Sequence, residues 1–235
     1  MIRLDKLIST AEGISRTDAK RLLSAGTVTV DNRTVKSGNE KVDPAHQLVL
    51  LKGTPIIFNA HIYILMNKPL GVVSSTNDPT SQTVLELLAP ELQRKGLFPA
   101  GRLDKYTEGM LIITDDGDFA HRILAPKNHL PKVYDFELDA PIVNASLVEK
   151  FAQGVYLGGG QHASPSILEP LSETSGRVTI YEGIYHQVRR MFDQNGAKVI
   201  GLKRVCIGGL ALDATLAAGE SRLLLPRELE KLFDF

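Results

Sequence analysis

Ala100-Gly101-Arg102-Leu103-Asp104-Lys105-Tyr106-Thr107-Glu108-Gly109 runs without a break into Met110-Leu111-Ile112-Ile113-Thr114, and the reading of the chain turns on that junction. The second half is apolar throughout, the pattern of a strand buried on both faces. The first half is a polar loop between two glycines. A loop anchored on a rigid strand is a common seat for a reactive group. Asp104 is the carboxylate it offers, flanked by Arg102 and Lys105, and nearby cations favour the charged form of a carboxylate. Taken alone, the loop equally admits a salt-bridged aspartate with no chemical task.

Downstream, Asp115-Asp116-Gly117 reads as a turn into a helix through Phe119, Ile123 and Leu124. Val133 to Leu138 alternates as a strand, Ser146-Leu147-Val148-Glu149 reads as a capping box, and Gly154 closes the helix that follows. Arg177 to Tyr181 is a strand, His186 to Asn195 a helix capped by Gly196, and Leu202 to Ile207 a strand. Pro226 opens a last short helix. Upstream, Tyr63 to Met66 is a strand, Asn67 to Gly71 a turn, Val72-Val73-Ser74 a second strand, and Thr83 to Leu88 a short helix stopped before Pro90. Strands outnumber helices without strict alternation, so residues 59–235 read as an α+β domain with a mixed, mainly antiparallel sheet flanked by helices.

Residues 1–58 form a separate unit. Leu4, Leu7, Ile8 and Ala11 write one helix. Ser15 caps a second, buried through Ala19, Leu22 and Leu23, and Gly26 ends it. Short strands follow at Thr27–Val30, Thr34–Val35 and Leu48–Leu51, with Asp31-Asn32 as a turn. The segment Gly53 to His61, containing Pro55, reads as the linker. Arg3, Lys6, Arg16, Lys20 and Arg21 fall off the apolar stripes and can share one exposed basic face.

Composition sets limits. The 235 residues are 43% hydrophobic, enough for one large core or two smaller ones. No apolar run approaches the ~20 residues that cross a bilayer. One cysteine, Cys206, allows no internal disulfide and fits a reducing compartment, the cytoplasm. Net charge is zero, 27 basic against 27 acidic residues, which excludes a uniformly basic nucleic-acid binder. Local excesses remain: nine Lys/Arg against six Asp/Glu over residues 1–58, and five against two over residues 182–204. Asp115-Asp116-Gly117-Asp118 lacks the further ligands of a calcium loop. The histidines show no metal-ligand spacing, and Gly158-Gly159-Gly160 is followed by no Gly-Lys-Ser/Thr. No metal and no cofactor is expected.

Two resemblances give these pieces an order. Arg3-Leu4-Asp5-Lys6-Leu7-Ile8, then Ser15 to Leu23, then Gly26 to Asn32, resembles the small RNA-binding module of ribosomal protein S-four. There the helices touch structured RNA, and a phosphate-binding basic face is implied. Asn67-Lys68-Pro69-Leu70-Gly71, Gly101-Arg102-Leu103-Asp104 with Thr107 and Gly109, Lys132-Val133-Tyr134, and Glu182-Gly183-Ile184-Tyr185-His186-Gln187-Val188-Arg189-Arg190-Met191 together resemble the ribosomal RNA pseudouridine synthases of the small-subunit type. The resemblance implies that Asp104 is the catalytic carboxylate, that Tyr134 stacks on or exchanges protons with the base, and that Arg189 pairs with Asp104. It assigns Arg190 to phosphate, and Lys68 and Arg102 to phosphate or to bracing the loop. It implies a monomeric cytoplasmic enzyme whose partner is ribosomal RNA or a ribosomal assembly intermediate. Asn128 to Tyr134 favours a uridine of small-subunit over large-subunit RNA. The chain departs from the family at Ile184-Tyr185-His186, a difference expected to bear on sequence preference and to leave Asp104 untouched. A non-catalytic RNA-binding assembly factor, and a hydrolase using Asp104 with Glu108, are the alternatives.

Overall fold

The computed structural model describes residues 1–44, 46–56, 61–125, 128 and 130–235. The chain divides into two compact units, Met1–His61 and Ile62–Phe235.

In the first unit, helix Leu4–Ala11 and helix Arg16–Ser24 cover a small sheet around Leu4, Leu7, Ile8, Ala19, Leu23 and Val28. Ser15 caps the second helix, its hydroxyl accepting from the Asp18 amide at 3.1 Å. Strand Val28–Val30 turns back through Asp31 and Asn32, at φ 48° and 64°. These are the left-handed positions of a tight hairpin, which Asp and Asn tolerate better than most residues. Thr54–Pro55 adds a further strand against Leu50 and Leu51, so the pairing continues into the segment read as linker. Residues 57–60 of that segment lie outside the described residues.

The second unit is built on one mixed sheet. Its strands lie in the order Ile167–Pro170, Ser175–Ile180, Lys132–Leu138, Val199–Ile207, Glu108–Thr114, Tyr63–Lys68 and Ser221–Leu223. One neighbouring pair in this row is parallel, Val199–Ile207 with Glu108–Thr114; the others are antiparallel. Met110, Leu111, Ile112 and Ile113 are closed off from solvent, as a strand buried on both faces requires. Leu65, Met110 and Ile112 pack to one side of the sheet, and Ile64, Met66, Leu111 and Ile113 to the other. In the other half of the sheet, Phe136 packs against Phe192, and Phe192 against Phe151 of helix Ala145–Gln153.

The seam between the halves is tight. Gly109, at φ 100°, faces Arg204 across the parallel pair, and a Cβ there would come within 2.2 Å of the Arg204 carbonyl oxygen. A register shift falls between Val133 and Tyr134: Val133 pairs with Cys206 but Tyr134 with Arg204, leaving Val205 as the extra residue of a β-bulge.

Three local expectations are corrected. Val72–Ser74 is not a strand, because Val73 makes only an isolated bridge to Thr83. Thr83–Leu88 is a turn rather than a helix, too short for successive i→i−4 bonds; a 3₁₀ turn follows at Pro90–Leu92. Helix Ala145–Gln153 is capped by Asn144, which accepts from the Leu147 amide at 3.0 Å, not by Ser146.

Candidate active site

The Asp104 loop is clipped in place through its backbone. Leu103 exchanges two hydrogen bonds with Ser74, whose hydroxyl donates to the Leu103 carbonyl at 2.9 Å and accepts from its amide at 3.0 Å. The Gly71 amide donates to the Lys105 carbonyl at 2.8 Å, and the Thr107 amide to the Asp104 carbonyl at 3.0 Å. Gly101, at φ 99°, makes the turn that enters the loop. The two glycine-containing motifs, 30 residues apart in sequence, are thus one hydrogen-bonded unit.

Lys68 lies beneath this unit. It has no exposed surface, and its ammonium donates to the carbonyls of Thr107 at 2.9 Å and Pro69 at 3.0 Å. Burial pushes its pKa down to about 8, opposed by the negative charges of Asp104 and Glu108. Lys68 therefore braces the loop and is closed to RNA phosphate, which corrects its place among the RNA contacts. Lys105 turns away from Asp104 and donates to Ser81 at 3.1 Å.

Asp104 opens into a cavity of about 270 Å³ whose walls include Arg102, Thr107, Tyr134, Ile180, Tyr185 and His186. Its carboxylate lies 3.4 Å from Nε2 of His186. Arg189 does not fill that place. Its guanidinium donates to the carbonyls of Val199 at 2.7 Å and Tyr106 at 2.5 Å, tying the loop to the sheet. The expected Arg189–Asp104 pair is therefore corrected: Arg189 lines the same cavity, but each of its terminal nitrogens donates to a backbone carbonyl and none forms an ion pair with Asp104. Arg190 is likewise committed. It donates to the carbonyls of Leu157, Gly158 and Tyr185 and to Gln161, so all three of its nitrogens serve the protein and not a phosphate.

His186 is what the sequence reading passed over. It holds a left-handed backbone, φ 51°, immediately before helix Gln187–Asp193. The departure at Ile184-Tyr185-His186 therefore touches Asp104 directly. A histidine with positive φ beside a helix start is a signal, but it is visible only in three dimensions.

Tyr134 stands where strand Lys132–Leu138 crosses the seam, mostly buried. Its hydroxyl lies 3.4 Å from Nη1 of Arg204, whose Nε donates to the Met110 carbonyl at 2.8 Å. Nearby, burial, the Arg204 charge adding to it, pushes the Lys132 ammonium down to about 8. Two buried side-chain polar atoms have no partner among the described residues, Thr107 Oγ1 in the cavity wall and Arg204 Nη2. An unmade buried hydrogen bond costs about 1–3 kcal/mol; Thr107 is bonded to the Asp104 carbonyl and Arg204 lies against Tyr134. Neither was legible from residue type.

In the N-terminal unit, the exposed basic face is partly committed to internal pairs. Arg3 and Arg16 both bind the fully buried Asp5, at 2.8 and 2.7 Å. Arg21 pairs with Asp18 at 3.0 Å, whereas Lys6 and Lys20 are exposed. Among the described residues, no group of three or more His, Cys, Asp or Glu is placed to hold a metal ion, and no helix is long and apolar enough to cross a membrane.

Comparison with known proteins agrees with this architecture. Residues 62–194 match the family model described as RNA pseudouridylate synthase, and residues 2–48 match the S4 domain. The chain is 44% identical to the ribosomal small subunit pseudouridine synthase A of Vibrio cholerae, covering 99% of this chain and 100% of that one. The enzyme of the same name from Escherichia coli K12 is 42% identical, over 97% and 98% of the two chains. A crystal structure of a pseudouridylate synthase superimposes with a TM-score of 0.69 at 36% identity, covering 99% of this chain and 100% of that one. The chain belongs to the RNA pseudouridylate synthase family, enzymes that isomerise uridine within RNA. Among them it is a two-part synthase, with an S4 domain ahead of the catalytic unit.

Proposed function

We propose that this enzyme converts one uridine of small-subunit ribosomal RNA to pseudouridine, with Asp104 as the carboxylate that acts on the ribose. The observation that carries the reading is Asp104 itself, part-exposed in a cavity of about 270 Å³ with the Tyr134 ring in its wall. The reaction breaks the bond from the anomeric carbon to N1 and forms one to C5; a proton leaves C5 and N1 gains one. An anionic group against the ribose can serve it in either of two ways, attacking the anomeric carbon or taking the 2′ proton. Tyr134 serves the base, and His186 holds the carboxylate. Arg189 acts through the backbone it binds. The glycosidic bond is out of reach inside a stacked helix, so the uridine is turned out into the cavity.

The relatives named for the small ribosomal subunit support the choice of RNA. Arg3, Lys6, Arg16, Lys20 and Arg21 on the S4 domain, and Arg102 at the cavity rim, are the proposed phosphate contacts. One chain carries Asp104, Tyr134 and His186 around one cavity, which supports action as a monomer. A ribosomal RNA substrate, or an assembly intermediate, supports a cytoplasmic site of action. Glu108 does not line the cavity, so the two-carboxylate hydrolase reading lacks its second acid.

The test is chemical mapping of pseudouridine in ribosomal RNA from a deletion strain. One small-subunit site is expected to vanish, to return with the wild-type gene and to stay absent with Asp104→Asn. A missing site in large-subunit RNA would overturn the substrate; a site restored by Asp104→Asn would overturn the role of Asp104.

A further inference from the structure

Tyr185 is unusual for a side chain at a catalytic cavity. It lines the cavity holding Asp104, yet 73% of its surface is exposed. One face of its ring is covered by His186, stacked at 3.9 Å between centroids and 16° between planes. Its other face meets no aromatic ring among the described residues. An exposed tyrosine with one face packed and the other open is what base stacking uses, because every base has a π-face to offer.

The loop under this ring is fixed, as a stacking surface needs to be. The Tyr185 carbonyl accepts from Arg190 at 3.3 Å. The Ile184 amide donates to Gln187 Oε1 at 3.0 Å, and Gln187 Nε2 donates to Glu182 at 2.9 Å. Glu182 in turn accepts from the Ser164 amide at 2.7 Å. His186 itself lies against Asp104. Side chains held this way lose little freedom when a ligand arrives.

The surroundings continue beyond the reacting nucleotide. A second cavity of about 290 Å³ shares His186 and Arg189 with the catalytic one and is walled by Arg190, Asp193 and the exposed Lys198. With Arg189 and Arg190 bound to carbonyls, Lys198 is the exposed cation of this adjoining cavity.

We infer that Tyr185 is the stacking platform for the base next to the target uridine, holding the flanking single strand while the uridine occupies the Asp104 cavity. The inference rests on the assignment of that cavity to the target uridine. It accounts for why Ile184-Tyr185-His186 carries a polar aromatic pair rather than cations: the segment reads a base by the free face of Tyr185, while His186 covers the other face of that ring and meets Asp104 through Nε2.

The test compares two probes on the full-length protein by calorimetry, uridine 5′-monophosphate and the trinucleotide UpUpU. The trinucleotide has neighbours to stack and is too short to engage an extended RNA-binding surface elsewhere. Wild-type protein is expected to bind UpUpU more tightly than the mononucleotide. Tyr185→Ala is expected to cut that advantage about tenfold, and Tyr185→Phe to keep it, because the ring carries the interaction. An unchanged advantage in Tyr185→Ala overturns the platform. Equal losses for both probes overturn it too, since Tyr185 would then act on the target nucleotide itself. A wild-type protein that binds neither probe overturns the assignment of the cavity instead, and the platform with it.

Discussion

Asp5 in the N-terminal unit and Lys68 in the catalytic unit are both closed off from solvent, and their surroundings differ in kind. Asp5 is met by two guanidinium groups, Arg3 and Arg16. The Arg3 hydrogen bond, with help from Arg16 and against the cost of burial, holds its carboxyl well below the usual carboxylate range. Lys68 has no carboxylate on its ammonium, only two carbonyl oxygens, and burial pulls it the other way, toward its neutral form. The first arrangement closes the carboxylate off: Asp5 is fully paired and fixes the helix start, while the two arginines keep about half of their side-chain surface exposed. The second leaves a cation electrostatically coupled to Asp104 and Glu108. A buried charge that is fully paired holds structure, and one that is only partly compensated lies where chemistry is done.

The sharpest way to break this contrast is Lys68→Met. Losing the ammonium frees the Thr107 and Pro69 carbonyls and loosens the Asp104 loop. Turnover is expected to fall about 100-fold, the scale of a 1 Å misplacement, while the melting of the S4 unit is unchanged. Full turnover in single-turnover assays would remove the brace from the mechanism. Asp5→Asn comes next. It removes the charge both arginines bind, but those arginines are half exposed and can be rehydrated. A loss of about 2 kcal/mol from the N-terminal unit is expected in urea unfolding, below the 3–5 kcal/mol of a fully buried pair.

The pH dependences of the two groups have opposite causes. The pKa of Asp5 is depressed, so its stabilisation is present above the unfolded value of about 3.9 and is lost as pH falls through the folded one. The pKa of Lys68 is also depressed, but for a cation. Between pH 8 and about 10 the folded state binds fewer protons than the unfolded chain, so the stability of the catalytic unit rises with pH across that window. Lys132, at about 8, adds to the same slope. Above pH 10 Tyr63, pushed up to about 12 mainly by burial, works in the opposite direction. Denaturant titrations at pH 8 and 9.5 should show the rise in wild-type protein and a shallower one in Lys68→Met.

The smallest effect is expected on the exposed face of the S4 unit. Replacing Lys6 or Lys20 by Gln should weaken RNA binding modestly and lower the slope of log affinity against log salt by about 0.7–0.9 for each phosphate no longer neutralised. A slope unchanged by both substitutions would remove these lysines from the interface.

Much of this was legible in the sequence, and the reason is locality. Ser15 capping a helix, Asp31-Asn32 turning a hairpin and the unbroken Met110–Ile113 strand are set by neighbours a few residues away. Arg189, Arg190 and Lys68 were misjudged because residue type says what a group can bind and not which acceptors the fold will bring to it. Each was taken up by backbone carbonyls from distant segments: Val199, Leu157, Thr107. His186 was missed for the same reason, since its partner Asp104 lies 82 residues earlier in the chain. Val72–Ser74 and Thr83–Leu88 failed differently. Their patterns suited regular elements, but Val72–Ser74 serves as a strut for the Asp104 loop, Ser74 clasping Leu103, and Thr83 only bridges back to Val73, so neither segment repeats a ladder.

The bulge at Val205 has a practical consequence. An alternating strand assigns every second side chain to the same side, and one inserted residue changes its phase. Up to the bulge Leu202 and Arg204 are the side chains on the Tyr134 side of the sheet, and Lys203 lies on the opposite one. Beyond Val205 the phase is reversed, and Cys206, paired with Val133, opens instead onto a separate cavity of about 550 Å³ together with Arg177 and Lys203. The one thiol of the chain is thereby an address at a cavity that shares no wall residue with that of Asp104, where a reporter group can be attached apart from the reaction centre.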